Sequence, residues 1–433
     1  MASGLSTQLA KKLFLKSLER LNKGYVEIVC PEETYRFGNP EDSVRAVLAV
    51  HNEGFFQKAV LGGDTGVGEA YVDGDWSTPD LVSVVRYGVR NLAQLEAGNW
   101  LTGMLTRAAD FFSHRRNRNT QAGSKKNISY HYDLGNDFYR LFLDESLAYS
   151  CAYYDRAEDS LEAAQQRKFE VICQKLQLTP EDHLLEIGTG WGGFAAYAAE
   201  NYGCRVTTTT ISQQQHDFAK ELFSGMESSR GKIDLLFEDY RNLRGQYDKI
   251  VSIEMFEAVG YEHYDDYFGA CDRLLKPDGS MLLQTITIQE SEFDKYRKQS
   301  DWIKKHIFPG AELASVTEIL RSLARSTELQ VFHLEDIGTH YALTLREWRR
   351  RFLQSLTEVR KLGFDGRFLR KWDYYLAYCE GSFAERYTSD VQLVLSKVTN
   401  RNRMMNEPKL EKVIQDQSPA ELQRGVVLAR SIR

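Results

Sequence analysis

The residues with the clearest capacity for chemistry form a glycine-rich turn in the segment LLEIGTGWGGFAAYAA. A short apolar run ends at Glu186 and is followed by Gly188, Gly190, Gly192 and Gly193 before an alanine-rich stretch. Gly188, Gly190 and Gly193 match the spacing G-x-G-x-x-G, which lets backbone N–H groups approach a ligand at the start of a helix. The turn predicts a ligand held between a strand and a helix, although this spacing alone does not identify it.

The next predicted strand argues against a nicotinamide cofactor. A nicotinamide site would need an acidic residue about 20 positions further on to hold the ribose hydroxyls. The sequence there reads VTTTTISQQQ and contains no acid. A second glycine-rich stretch, LGGDTGVGEAYVDGDW at 61–76, has no lysine in P-loop spacing, so we expect tight turns there.

The acid before the glycines and the later segment FEDYRNL together resemble the S-adenosylmethionine (SAM) methyltransferases. The resemblance implies that Glu186 lies at the methionine end of SAM, Gln215 along the ribose edge and Asp239 beside the adenine. The full set of expected cofactor-binding residues is Tyr149, Ser150, Glu186, Gly188, Gly190, Gly192, Thr210, Ile211, Gln215, Asp239 and Tyr240.

Four further segments narrow the resemblance to one family. They are YHYDLGNDFYRLFLDESLAYSCAYY at 130–154, SIEMFEAVG at 252–260, DWIKKHIFPG at 301–310 and YYLAYCEGSF at 374–383. In this order they resemble the cyclopropane fatty acid synthase family, also represented by mycolic acid cyclopropane synthases, over roughly residues 125–400. GEAYVDGDW at 68–76 resembles the small lipid-associated N-terminal domain of longer members.

The resemblance implies a SAM-dependent C-methyltransferase of the cyclopropane-fatty-acyl-phospholipid synthase type. In that reaction the cis alkene of a phospholipid acyl chain attacks the methyl group of SAM. The resulting carbocation then loses a proton from the new methyl group and closes a three-membered ring. Such a cation needs a dry pocket with aromatic faces or buried negative charge, and a base near the methyl group. The resemblance implies that this base is a bound bicarbonate ion.

The same resemblance implies the residues that would hold the bicarbonate. They are Cys151 and Ile286 through their backbones and Glu257 and Tyr341 through their side chains. A carboxylate such as Glu257 can accept the bicarbonate hydroxyl or receive a proton, and a phenol such as Tyr341 can donate to the anion.

Two positions depart from the pattern of many family members. Gln284 in LLQTI and Ala258 in MFEAVG stand where many members carry histidine. An amide can hydrogen-bond an anion but cannot relay a proton near neutral pH, so Gln284 is predicted to be a ligand rather than a base. Cys379 aligns with a cysteine once regarded as the family nucleophile, so the resemblance makes it a candidate catalytic residue. Methyl transfer needs no thiolate, however, and we expect a buried packing thiol.

The elements that must position these residues follow an alternating pattern of strands and helices, which predicts a parallel sheet covered on both faces. The predicted strands are 183–187, 205–211, 233–237, 249–253 and 280–286, and the helices between them are 193–201, 213–223 and 264–275. We expect residues 290–395 to be mostly helical and to cap the sheet. The predicted fold class is α/β: a Rossmann-like SAM methyltransferase sheet with a helical cap, plus a small N-terminal mixed α+β domain.

The predicted domain organisation has four parts. Residues 1–106 form the lipid-associated domain, with a helix at 7–22 and strands at 25–29 and 46–50. Residues 107–127 form a basic linker, since HRRNRNTQAGSKK at 114–126 has five basic residues and no acid. Residues 128–400 form the methyltransferase domain, and 401–433 form an exposed tail or a partner helix.

The composition excludes several other classes. The 433 residues carry a net charge of −6, and no apolar stretch reaches the roughly 18 residues of a membrane-spanning helix. The six cysteines form no C-x-x-C pair, so neither a metal site nor a disulfide framework is predicted. With no export segment visible, we expect a cytoplasmic protein. The acidic charge and the lack of a recognition motif argue against a nucleic-acid partner.

The expected partner is unsaturated phospholipid, reached by peripheral contact at the inner membrane surface. The segment 345–373 carries nine basic and four acidic residues, a local balance of +5 that suits anionic lipid or a solvated helix face. The family resemblance also makes a homodimer an expected assembly.

Three alternatives stay open at this point. The same carbocation could undergo a hydride shift and lose a proton elsewhere, which would give a methylene- or methyl-branched chain. The chain could be a noncatalytic lipid-binding protein, although the intact glycine turn and Glu257 argue against this. It could also methylate a small soluble metabolite.

Overall fold

The structure is a computed structural model that describes residues 6–98, 134–226 and 230–401. Its strands are β1 (Tyr25–Val29), β2 (Thr34–Gly38), β3 (Arg45–Val50), β4 (Trp76–Ser77), β5 (His183–Ile187), β6 (Arg205–Thr210), β7 (Ile233–Phe237), β8 (Tyr247–Ile253), β9 (Leu275–Ile288), β10 (Leu329–Asp336) and β11 (Thr388–Lys397). They form a sheet of four strands near the N-terminus and a larger sheet of seven strands.

The helices are numbered in chain order. They are α1 (Thr7–Leu18), α2 (Gly54–Asp73), α3 (Leu81–Arg90), α4 (Leu92–Gly98), α5 (Asn136–Tyr139), α6 (Leu161–Leu176), α7 (Gly193–Tyr202), α8 (Gln213–Ser224), α9 (Tyr264–Leu274), α10 (Phe293–Tyr296), α11 (Trp302–His306), α12 (Val316–Ser326), α13 (Gly338–Gln354), α14 (Leu356–Lys361) and α15 (Gly366–Ala384). Short 3₁₀ turns lie at Tyr240–Asn242, Phe256–Ala258 and Tyr261–His263.

The larger sheet has the strand order β10-β11-β9-β8-β5-β6-β7. Strands β5 to β9 pair in parallel. The chain runs from β5 outward to β6 and β7, and then returns to place β8 on the other side of β5. Ligands of open α/β sheets bind where the connections diverge in this way, at the carboxyl ends of the strands. The topology therefore places a ligand crevice at the ends of β5 and β8.

The five predicted strands and three predicted helices of this sheet are confirmed, with ends that differ by a few residues. The expectation that residues 290–395 are mostly helical was incomplete, because β10 and β11 extend the sheet in antiparallel fashion. β11 pairs with β9, about 100 residues earlier, and carries the buried polar residues Asp390, Gln392 and Ser396. These side chains break the apolar pattern that would have indicated a buried strand.

The N-terminal sheet has the order β2-β1-β3-β4, and its helices α2 and α3 pack against α15. One buried cluster joins Phe55 and Trp76 of this part to Trp302 and Trp372 of the helices that cap the larger sheet. The predicted elements at 7–22, 25–29 and 46–50 correspond to α1, β1 and β3.

The prediction of tight turns at 61–76 is wrong, because most of this stretch belongs to α2. The helix bends at Gly63, whose backbone φ of 56° is left-handed. A Cβ atom on Gly66 would lie 1.9 Å from the Lys58 carbonyl oxygen, and one on Gly68 would lie 2.6 Å from Trp302 Cδ1. These glycines serve close packing across the bend and against the cap, which a turn-residue count does not reveal.

The predicted linker at 107–127 and the tail beyond residue 401 lie outside the described residues, so the domain boundaries stay a prediction. Within the described ranges, no helix combines the length and the apolar character needed to cross a membrane.

Candidate functional site

A cleft opens at the crevice that the topology predicts, and we call it the cofactor cleft. It is lined by the turn after β5, by the ends of β6 and β8, by the segment after β7 and by residues 146–150 before α6. Ten of the eleven predicted cofactor-binding residues line it. The exception is Gly192, where a Cβ atom would lie 2.8 Å from Phe223 Cζ, so that this glycine serves the packing of α7 against α8.

The glycine turn forms the floor of the cofactor cleft. Gly188 and Gly190 have φ values of 102° and 53°, which side-chain-bearing residues rarely adopt. The N–H of Gly188 donates to the Thr209 carbonyl oxygen at 3.1 Å, which ties the turn to β6. A Cβ atom on Gly188 would lie 3.1 Å from the Met255 side chain across the cleft. The turn therefore exposes backbone atoms, with no side chain in the way, to the space that a ligand would occupy.

Glu186 places a buried acid beside this turn. It is 2% exposed, and its carboxylate accepts a hydrogen bond from the Thr208 hydroxyl on β6. Burial raises the pKa of Glu186 to about 8, although the Thr208 hydrogen bond acts in the opposite direction. A cationic group bound in the cleft would stabilise the charged form of this carboxyl. The position suits the ammonium of an amino-acid moiety.

The ends of β6 and β7 supply the polar groups along the rest of the cleft. The Thr210 hydroxyl donates to Gln215 Oε1 at 3.0 Å, which orients the Gln215 side chain. Asp239 accepts hydrogen bonds from Arg241 Nε at 2.8 Å and from its terminal nitrogen at 2.6 Å. Burial acts to raise the pKa of Asp239, but the Arg241 hydrogen bonds outweigh it and lower the pKa. Asp239 is therefore a charged acceptor beside Tyr240, which also lines the cleft.

The opposite wall comes from the segment before α6. The Tyr149 hydroxyl lies 2.7 Å from the Tyr375 hydroxyl, and the Tyr149 ring stacks on Trp348. The Ser150 hydroxyl accepts a hydrogen bond from Lys168, an α6 residue that is fully buried. Burial lowers the pKa of Lys168.

The predicted catalytic residues gather around two carboxylates rather than around an open space. The first is Glu254, directly after β8. Its Oε1 accepts hydrogen bonds from the Cys151 N–H at 2.7 Å and from Gln284 Nε2 at 2.9 Å. Its Oε2 accepts a hydrogen bond from the Tyr341 hydroxyl at 2.6 Å. Three predicted residues from distant parts of the chain thus bind one side chain.

The second carboxylate is Glu257, which was predicted. Its Oε1 accepts hydrogen bonds from the Ile286 N–H at 2.6 Å and from the Thr285 hydroxyl at 2.9 Å. Burial and, second, the charge of Glu254 raise the pKa of Glu257 to about 7. Its Oε2 is buried without a protein hydrogen-bond partner among the described residues.

A third carboxyl completes what we call the carboxylate cluster, namely Glu254, Glu257 and Asp390. Asp390 Oδ2 accepts a hydrogen bond from Gln284 Nε2 at 2.9 Å, and Gln392 Nε2 donates to Gln284 Oε1 at 2.9 Å. Burial, followed by the charges of Glu254 and Glu257, raises the pKa of Asp390 well above its usual range. The surroundings of Asp390 therefore favour its protonated form.

The surroundings of Glu254 act on its pKa in opposite directions. Burial raises its pKa, whereas hydrogen bonds from Tyr341, the Cys151 N–H and Gln284 and the charge of Lys168 lower it. Among the described members of the carboxylate cluster and their donors, Glu254 is the one that lines the cofactor cleft. It connects the two parts of the site.

Cys379 makes no described hydrogen bond to this cluster. It lies on α15, half-buried among apolar residues, and burial raises the pKa of its thiol. A raised thiol pKa disfavours the thiolate that a nucleophile needs. The placement agrees with a packing role, and a catalytic role for Cys379 is not proposed.

Sequence reasoning missed Glu254 and Asp390. The signal for Glu254 was present, because SIEMFEAVG places an acid at the carboxyl end of a predicted central strand, where parallel sheets bind ligands. Asp390 gave no such signal, since its strand was not predicted and its partners lie about 100 residues away.

Comparisons with known proteins agree with this geometry. Residues 119–393 match the family described as mycolic acid cyclopropane synthetase. The chain is 38% identical over 359 residues to the cyclopropane-fatty-acyl-phospholipid synthase of Escherichia coli strain K12, which covers 82% of this chain and 89% of that protein. It is 36% identical over 341 residues to the tuberculostearic acid methyltransferase UfaA1 of Mycobacterium tuberculosis strain H37Rv, covering 76% and 78% respectively.

A solved structure supports the same family assignment. The mycolic acid cyclopropane synthase CmaA1 in complex with SAH and CTAB superposes with a TM-score of 0.58 at 31% identity, covering 63% of this chain and 98% of that one. The predicted fold class, family and SAM-dependent enzyme class are thereby confirmed. The chain belongs to the mycolic acid cyclopropane synthetase family of SAM-dependent methyltransferases.

Proposed function

We propose that this enzyme is a cyclopropane-fatty-acyl-phospholipid synthase, which adds a methylene group from SAM across the cis double bond of an unsaturated phospholipid acyl chain. The observation that carries the proposal is the position of Glu254, which lines the cofactor cleft and binds Cys151, Gln284 and Tyr341. A carboxylate at this point would stabilise the carbocation that methyl transfer creates. The identity to the Escherichia coli synthase supports the same reaction.

The polar groups that line the cofactor cleft are suited to binding SAM. SAM, when bound, supplies an electrophilic methyl group to the acyl chain. Glu186 would hold the ammonium of its methionine end, and the bare backbone at Gly188 and Gly190 would let the ligand approach the turn. The remaining residues proposed to bind it are Tyr149, Ser150, Thr210, Ile211, Gln215, Asp239 and Tyr240.

Aromatic rings in the cleft would protect and stabilise the cation. Tyr149, Trp191 and Phe194 line the same space as Glu254. The faces of aromatic rings attract cations, and apolar walls exclude the water that would otherwise capture the intermediate. The residues around the reacting carbon are thus expected to be aromatic on one side and anionic on the other.

The predicted bicarbonate does not fit the site as this chain builds it. Its expected donors are the Cys151 N–H and the Tyr341 hydroxyl, which both bind Glu254, and the Ile286 N–H, which binds Glu257. A further anion would also lie next to Glu254 and Glu257, and burial already raises the pKa of both carboxyls. We therefore derive no step through bicarbonate.

A second candidate function has support from one comparison. The similarity to a tuberculostearic acid methyltransferase favours the reaction in which the same carbocation yields a methylene- or methyl-branched chain. The two reactions share the methyl transfer. In the second, a hydride shifts to the cationic carbon before a proton is lost, so that a double bond forms in place of the ring. The position of the base relative to the cation would decide between them.

Access to the acyl chain requires contact with a lipid surface, which we place on the cytoplasmic face of the inner membrane. The basic segment 345–373 contributes less free charge than its sequence suggests, because six of its nine basic side chains form ion pairs, three of them with acids outside the segment. The paired residues are Arg346, Arg349, Arg350, Arg351, Lys361 and Arg367. A homodimer remains part of the proposal through family resemblance alone.

The test is incubation of the purified protein with SAM and vesicles of a monounsaturated phospholipid, followed by mass spectrometry and proton NMR of the released fatty acids. High-field cyclopropane protons are the expected result. Vinylidene protons would move the assignment to the second candidate, whereas the absence of any added carbon would refute both. A parallel incubation without vesicles tests for a soluble methyl acceptor.

A further inference from the structure

We propose that Glu254 is the catalytic base of this enzyme and that its carboxylate takes the place of a bound anion. The inference rests on the proposed synthase reaction and names the proton acceptor of that reaction. It makes turnover independent of bicarbonate.

The first support is the convergence of donors on Glu254. Three donors from separate parts of the chain lie 2.6–2.9 Å from the two carboxylate oxygens of Glu254. They are the Cys151 N–H, Gln284 Nε2 and the Tyr341 hydroxyl. Such a set of donors from backbone, amide and phenol is a complete binding site for one carboxylate. Here the carboxylate belongs to the chain itself.

The second support is the backbone at Glu254. Its φ of 47° lies in the left-handed region, which residues with a side chain rarely adopt and which strains the backbone. The Glu254 N–H donates to the Gln284 carbonyl oxygen at 2.8 Å, which helps to hold this conformation. Strain of this kind persists where the surrounding structure demands a particular side-chain position. The conformation directs the carboxylate into the site that the donors form.

The third support is the charge balance around Glu254. The titratable and charged groups that face it are Tyr341 from α13, Cys151 from the segment before α6, Lys168 from α6, Glu257 from the turn after β8, Tyr375 from α15 and Asp390 from β11. Two further carboxyls and one lysine already surround Glu254, so a separate anion would meet repulsion with little compensating positive charge.

The fourth support is access. Glu254 lines the cofactor cleft, whereas Cys151, Gln284 and Tyr341 do not. Oε1 accepts two hydrogen bonds, which use both of its lone pairs, while Oε2 accepts one from Tyr341. Oε2 is therefore the oxygen with capacity for a proton.

Glu254 acts in the step that follows methyl transfer. After methyl transfer the acyl chain carries a new methyl group on one carbon and a positive charge on its neighbour. Glu254 Oε2 takes a proton from that methyl group, and the electron pair of the broken C–H bond forms the new C–C bond of the ring. The positive charge is neutralised, Glu254 becomes a carboxylic acid, and its proton returns to solvent through the cleft once the products leave. Gln284, Tyr341 and the Cys151 N–H act as positioning groups.

The first experiment compares turnover in carbon dioxide-free buffer with turnover in added bicarbonate, using vesicles and SAM. We expect the unmodified enzyme to change by less than about twofold between these conditions. Glu254→Gln is expected to lower kcat by at least about 100-fold, since a positioned base contributes at least that factor. Glu358→Gln, an exposed residue paired with Lys361 on α14, is the control and should retain full activity. A tenfold stimulation of the unmodified enzyme by bicarbonate would overturn the inference.

The second experiment uses Glu254→Gly, which removes the carboxylate and leaves the donors unpaired. Glycine accepts the left-handed backbone without strain, so this variant is expected to fold, as circular dichroism would check. We expect it to be inactive in carbon dioxide-free buffer and to regain activity with added bicarbonate in a saturable manner. A folded Glu254→Gly variant that retains full activity in carbon dioxide-free buffer would refute the role of Glu254.

Binding of carbon-13 bicarbonate, followed by NMR line broadening, separates this inference from the proposed function. It needs no turnover, so it remains decisive if the vesicle assay gives no product. We expect binding to Glu254→Gly and none to the unmodified protein at millimolar concentrations. Saturable binding to the unmodified protein would show that Glu254 does not fill the anion site.

Discussion

The cofactor cleft and the carboxylate cluster share one wall, yet the chain builds them in different ways. The cleft takes its main polar residues from the ends of β5 and β6 and from the segments that follow β5, β6 and β7, so each contribution is local in sequence. The carboxylate cluster and its hydrogen-bond donors come from segments that span about 240 residues, from Cys151 to Asp390. A local site can be recognised from motifs, whereas a site assembled across the sheet depends on how the strands pair.

The two regions also differ in their electrostatics. In the cleft, Glu186 is the buried acid, and a cationic ligand would neutralise it. In the cluster, three carboxyls lie close together and burial raises the pKa of each. The first arrangement suits binding and the second suits stabilisation of a cation followed by proton transfer. Changes in the cleft should therefore alter SAM affinity, and changes in the cluster should alter turnover.

The largest effect is expected from Gly188→Val in the cleft. Gly188 has a φ of 102°, and a Cβ atom there would already meet Met255 at 3.1 Å. The strain and the contact should weaken SAM binding by roughly 100-fold, measured by calorimetry. Gly366→Ala, a position with open space around the added atom, is the control and should bind normally. Unchanged SAM affinity in a folded Gly188→Val protein would contradict the proposed location of SAM.

The next effect concerns the pH dependence of SAM binding. The pKa of Glu186 is raised to about 8, so this carboxyl is mostly protonated at pH 7 in the SAM-free protein. A bound ammonium favours the carboxylate, so binding should release up to about one proton, and affinity should rise roughly 30-fold from pH 6 to pH 8. Calorimetry in buffers of different ionisation enthalpy measures the proton release.

Glu186→Gln provides the reference for this measurement. It removes the titration of the protein and leaves any titration of SAM itself, so the difference between the two proteins isolates Glu186. Equal proton release in both proteins would place the ammonium elsewhere in the cleft.

A smaller effect is expected in the cluster from Tyr341→Phe. A hydrogen bond to a charged acceptor is worth about 1.5–3 kcal/mol, and Tyr341 donates one to Glu254. We expect kcat to fall about tenfold with SAM affinity unchanged. Because this hydrogen bond lowers the pKa of Glu254, its loss should move the acidic limb of the kcat profile to higher pH.

The matched control is Tyr87→Phe, which removes a buried hydroxyl without a protein hydrogen-bond partner among the described residues. It should leave both kcat and the pH profile unchanged. A Tyr341→Phe variant that loses SAM affinity instead of turnover would break the division between the two regions.

The smallest effect is expected from Cys379→Ala on α15. Its thiol packs among apolar residues, and burial raises its pKa. Steady-state kinetics should show less than about a twofold change in kcat, with a modest loss of thermal stability from the removed packing. A 100-fold loss of kcat in a folded protein would return Cys379 to the catalytic site.

The amino-acid sequence by itself determined much of the parallel part of the sheet and the residues of the cofactor cleft. Strands alternate with helices, Glu186 lies near the end of β5, and the glycines and Asp239 follow closely after strands. Each of these features can be recognised within a short stretch of sequence, so periodicity and turn chemistry are sufficient to predict them. The helix in place of the turns at 61–76 was missed because Gly66 and Gly68 serve close packing, Gly68 against Trp302, a residue far away in the chain.

Only the tertiary structure decided which carboxylate the predicted catalytic residues would surround. The sequence predicted Cys151, Gln284, Tyr341 and Glu257 individually, but the hydrogen bonds show the first three bound to Glu254. The pairing of β9 with β11 placed Gln284 opposite Gln392 and brought Asp390 to the same point. Hydrogen-bond partners and burial are properties of the folded arrangement, because they depend on groups that the chain brings together over hundreds of residues.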